Sequence, residues 1–121
     1  MSINKRFLLI SRSAPYGTSA AREMLDIALT CSVFEQSVTL LLMGDAVLQL
    51  IREQQPAEIA QKNLNALQAS LAMYDIDQIL VPQSALDAHG LSPDQLSIPI
   101  KLVDADRLPA LIAEHDIVIT V

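Results

Sequence analysis

Five short apolar runs limit what this chain can fold into: Phe7–Ile10, Ser37–Met43, Ile79–Val81, Ile100–Val103 and Ile117–Val121. The first two are nearly continuous rather than alternating, which is the pattern of parallel strands buried on both faces. Between the first two runs, Ala21, Met24, Leu25, Ala28 and Leu29 recur at the spacing of a core-facing helix, predicted from about Thr18 to Cys31 or slightly beyond. Ala60, Leu64, Leu67 and Leu71 repeat that spacing and predict a second long helix over about Ala57–Met73. Strands that alternate with helices predict an α/β protein: a single-domain, three-layer α/β/α sandwich around a mostly parallel five-stranded sheet, spanning residues 1–121.

Turn chemistry punctuates these elements. In Ser11–Ser19, Pro15 stops the first strand, Gly17 permits a sharp turn, and Thr18 or Ser19 can cap the helix that follows. This strand–turn–helix crevice is where ligands meet open α/β sheets. Gly44-Asp45 ends the second strand, with Asp45 placed to cap a short turn over Ala46–Ile51. Five of the six residues of that turn are apolar, which leaves two readings open. Either the turn plugs the core, or Val47, Leu48 or Leu50 is covered by a neighbouring subunit. His89-Gly90 reads as the stop of a short helix over Ser84–Ala88. Ser92-Pro93-Asp94-Gln95 reads as a capping box, and Asp106 is expected to cap the last helix because Pro109 is best tolerated in a first turn.

Composition excludes several functions. The net charge is −6, and the eight Lys and Arg are scattered singly, which argues against direct binding of nucleic acid. No run approaches the ~18 apolar residues that span a bilayer, and Met1–Arg6 lacks a signal-peptide pattern. A cytoplasmic protein is the expectation. Hydrophobic residues make up 51% of the chain and the mean hydropathy is +0.35, an excess that suggests burial against other subunits.

Candidate chemistry is sparse. Cys31 is the single cysteine, so no internal disulfide can form. It falls on the helical stripe with no basic neighbour in sequence to activate it, and reads as structural. His89 reads as a helix terminator and His115 as partly buried or at an interface, and neither has a partner at metal-ligand spacing. A flavin site in the Ser11–Ser19 crevice would need flanking aromatic rings, and Tyr16, Tyr74 and two Phe are thin material. A phosphoacceptor domain would need an acidic pair where Ser11-Arg12 stands. No catalytic, cofactor-binding or metal-ligating residue is therefore expected.

Three collinear motifs resemble one family. Ala14-Pro15-Tyr16-Gly17-Thr18 with Ala21-Arg22-Glu23 resembles the opening motif of the DsrE/DsrF/DsrH-like sulfur-relay proteins. Gly44–Leu50 is similar to that family's second signature. Leu71–Ile76, with Ser84-Ala85-Leu86 before His89-Gly90-Leu91, resembles its TusC (DsrF-like) branch. The resemblance implies a subunit of a TusBCD-like complex, a dimer of heterotrimers with TusB-like and TusD-like partners. Such a complex takes persulfide sulfur from TusA and passes it to TusE for 2-thiouridine formation in tRNA. A DsrF-like role in dissimilatory sulfur oxidation is the alternative. In the family the carrier is a cysteine of the TusD subunit at the end of the third strand, and the matching place here is about Pro82. The implied role is that of a non-catalytic paralogue.

Overall fold

The computed structural model describes residues 5–12, 20–50, 71–74, 76, 78–96 and 98–121. Five strands form one sheet: β1 (Arg6–Ser11), β2 (Ser37–Leu42), β3 (Gln78–Pro82), β4 (Lys101–Val103) and β5 (Ile117–Thr120). Their order is β4-β3-β2-β1-β5, and all four pairings are parallel. Three α-helices are described: α1 (Ala20–Val33), α2 (Gln83–Ala88) and α3 (Leu108–Ala113).

The register sorts the apolar residues into two layers. Leu9, Leu40 and Ile79 lie level with one another, and so do Ile10, Leu41 and Leu80 one residue further on. Successive side chains point to opposite faces. The Leu9 face packs against Met24, Leu25 and Ala28 of α1, against Ala85 and Leu86 of α2, and against Ala46, Val47 and Leu50. The Leu8 and Ile10 face packs with Leu41 against Leu108 and Leu111 of α3. Handedness explains the division. The steps from β1 to β4 all run one way across the sheet, whereas β4 to β5 runs back. Right-handed crossovers therefore place α3 on the opposite face from α1 and α2.

Four local expectations can be set against the fold. Asp45 does not precede a helical turn but lies inside a 3-10 helix, Gly44–Leu50, because the Ala46 N–H already bonds the Met43 carbonyl at 3.0 Å and closes a turn over Gly44-Asp45. Of the two readings of that turn, burial favours the core plug: Val47 and Leu50 are fully buried, and only Leu48 is partly open. Asp106 does not cap the last helix: it lies inside a 3-10 turn (Ala105–Arg107) whose N-cap is Asp104, α3 itself has Arg107 as N-cap, and Pro109 falls in its first turn. Leu71–Tyr74 form a 3-10 turn, while the rest of the long helix expected over Ala57–Met73 lies outside the described residues.

Both α1 and α2 end in the same hydrogen-bonded motif. After α2, the Leu91 N–H donates to the Leu86 carbonyl at 2.9 Å and the Gly90 N–H to the Asp87 carbonyl at 3.2 Å, with Gly90 left-handed at φ +63°. After α1, the Gln36 N–H donates to Cys31 at 3.0 Å and the Glu35 N–H to Ser32 at 2.9 Å. There the left-handed position is held by Glu35, at φ +60°.

Candidate functional site

In an open parallel sheet, a ligand crevice forms where neighbouring strands send their carboxyl-end connections to opposite faces. That condition is met between β3 and β4: β3 leads into α2 on one face, and β4 leads toward α3 on the other. Pro82 and Val103 are paired partners there. Strand order thus puts a topological switch point beside Pro82, whereas the sequence singled out the turn after β1. Residues 13–19 of that turn are outside the described residues.

Pro82 is the buried last residue of β3 and the N-cap of α2, with φ −64° and ψ 138°. Its ring fixes that φ, so one residue both ends the strand and starts the helix. It carries no donor and no nucleophile. Gln83 Nε2 donates to Asp87 Oδ1 at 2.9 Å.

Along the same carboxyl edge, His89 Nε2 lies 3.1 Å from Asp45 Oδ1. The sequence reading made His89 a helix terminator, which it is, and Asp45 a cap, which it is not. Their contact joins two of the motifs quoted above across 44 residues, and nothing in their local spacing signals it. Asp45 is two-thirds exposed, so the pair is a solvated tie rather than a buried charge couple.

His115 is partly buried on the opposite face of the sheet, bonded to the backbone and to Thr39. Cys31 is half-buried in the last turn of α1, toward the amino end of β2 and so away from Pro82. Burial pushes its thiol above the ordinary value of 9.0. Among the described residues no group of three or more His, Cys, Asp or Glu could hold a metal ion. Among them too, no helix is long and apolar enough to cross a membrane.

This is an open parallel α/β protein with a buried proline at the carboxyl end of its third strand. The DsrE/DsrF-like family model matches residues 5–121, and the chain belongs to that family. A TusC homolog of Pseudomonas aeruginosa is 35% identical over 98% of this chain and 99% of its own. The intracellular sulfur oxidation protein DsrF of Allochromatium vinosum is 32% identical over 94% of each chain. The crystal structure of the ychN protein from Escherichia coli shares the fold, with a TM-score of 0.81 at 23% identity over 97% of this chain and 99% of that one.

Proposed function

We propose that this chain is a non-catalytic structural subunit of a TusBCD-like sulfurtransferase complex in the cytoplasmic sulfur relay for 2-thiouridine formation at tRNA wobble positions. Its partners on this reading are TusB-like and TusD-like sister chains, with TusA and TusE as donor and acceptor of the whole assembly. The observation that carries the reading is Pro82 at the end of β3. Persulfide transfer proceeds by thiolate attack on a sulfur, so a relay position without a thiol cannot turn over. The single thiol, Cys31, stands in another element, and its raised pKa keeps it protonated and poorly nucleophilic at neutral pH.

Native mass spectrometry of the chain co-expressed with its sister subunits tests the proposal. The expected result is a dimer of heterotrimers in which persulfide mass appears on the TusD-like chain alone. Recovery of this chain only as a free monomer, or a persulfide adduct on it during turnover, overturns the proposal.

The similarity to DsrF supports a second reading, a subunit of a sulfur-oxidation complex with the same architecture. Deletion of the gene separates the two. Loss of tRNA 2-thiouridine supports the first reading; intact 2-thiouridine with impaired sulfur oxidation supports the second.

A further inference from the structure

Three features that local physics disfavours coincide where α1 ends. Val33 and Phe34 are 64% and 70% exposed, although both are large and apolar. Glu35 adopts φ +60°, a conformation that favours glycine. The helix also has no basic residue in its last turn, so the Glu35 carboxylate adds negative charge at the negative pole of the dipole. Glu35 forms no ion pair among the described residues. Sequence rules that fail together at one place mark a site under another constraint.

The corner is nonetheless firmly built. Beyond the two capping bonds already described, Gln36 Nε2 donates to the Phe34 carbonyl at 3.0 Å and the Lys5 N–H donates to Gln36 Oε1 at 2.7 Å. The Ser32 hydroxyl donates to the Tyr74 carbonyl at 2.5 Å, which sets Met73, 82% exposed, and Tyr74 beside the helix end. The result is a rigid apolar knob with an unneutralised acid at its rim.

We propose that this corner docks a sister subunit that presents an apolar pocket flanked by Lys or Arg. The inference rests on the subunit role proposed above and names the surface that performs it. Such a partner would bury Phe34 and Met73 and would neutralise both Glu35 and the helix pole. Charge complementarity disfavours the other occupants. A second copy carries the same net charge of −6, and an anionic lipid surface would be repelled by the acidic rim.

The test uses the complex co-expressed with the TusB-like and TusD-like chains, titrated at several salt concentrations. Phe34→Asp and Glu35→Lys should each weaken assembly by about tenfold or more, as expected for a central anchor and its charge partner. Glu35→Gly should raise the melting temperature of the isolated chain while reducing the salt dependence of assembly, a combination that a purely structural role would not produce. Unchanged assembly with both Phe34→Asp and Glu35→Lys overturns the docking corner and leaves the subunit role standing. Failure of the wild-type chain to assemble overturns both. A wild-type chain that self-associates and becomes monomeric with Phe34→Asp gives the corner to a second copy, and also overturns the proposal.

Discussion

One imidazole ties the end of α3 to the middle of the sheet: His115 Nε2 lies 3.1 Å from Thr39 Oγ1, and His115 Nδ1 lies 2.7 Å from the Leu111 carbonyl. A carbonyl can only accept, so Nδ1 carries the proton, and in the neutral ring the Thr39 hydroxyl donates to Nε2. Thr39 stands level with Leu8, on the face that α3 covers. Replacing His115 by Phe takes the imidazole partner from a buried hydroxyl, while the Leu111 carbonyl keeps the Glu114 N–H at 3.3 Å. We expect a loss of about 1–3 kcal/mol in urea unfolding. Thr39→Val in the same background should restore part of it, and a double-mutant cycle showing no coupling between the two would remove the tie from the account.

The two helix ends provide a matched pair of substitutions. Glu35→Gly relieves a left-handed non-glycine residue and should stabilise the chain by about 0.5–1 kcal/mol. Gly90→Ala should destabilise it by a similar ~1 kcal/mol. A Cβ at Gly90 would meet nothing within 4 Å, so the cost there is one of backbone conformation alone. Thermal unfolding of both variants checks the opposite signs.

Leu50 and Leu48 lie two residues apart and should behave differently. Leu50 is fully buried against the Leu9 face, so Leu50→Ala should cost about 2–5 kcal/mol. Leu50→Asp should abolish folding rather than release a partner. Leu48 is only partly buried, and Leu48→Glu should leave a folded chain. Circular dichroism of the isolated variants distinguishes loss of fold from loss of assembly.

Burial raises the Cys31 pKa in the folded chain, so folded protein holds the thiol proton more tightly than unfolded protein. The stabilisation is present in full below the ordinary thiol value of 9.0 and is lost as pH rises through the raised folded value. Above pH 9 the unfolding free energy of the wild-type chain should fall more steeply than that of Cys31→Ala. At pH 8 the thiol should react with an alkylating reagent far more slowly in folded protein than in denaturant. Equal rates in the two conditions would show that the thiol is not shielded.

Much of the architecture was legible in the order of residues. Continuous apolar runs such as Phe7–Ile10 become parallel strands because only a sheet covered on both faces can bury them, and Met24, Leu25 and Ala28 reach the core because helical spacing puts them on one stripe. Pro82 and the His89-Gly90 stop were also readable, since ring geometry and a left-handed glycine act within a few residues. The strand order was not, nor were the burial of Leu50 and the meetings of Asp45 with His89 and Thr39 with His115. Those depend on which face each crossover takes and on contacts across 44 and 76 residues, and local spacing carries no record of them. The exposed, left-handed corner at Phe34-Glu35 belongs to the same class: sequence marks it as an ordinary helix end, and only the folded chain shows apolar side chains left in water beside an unneutralised acid.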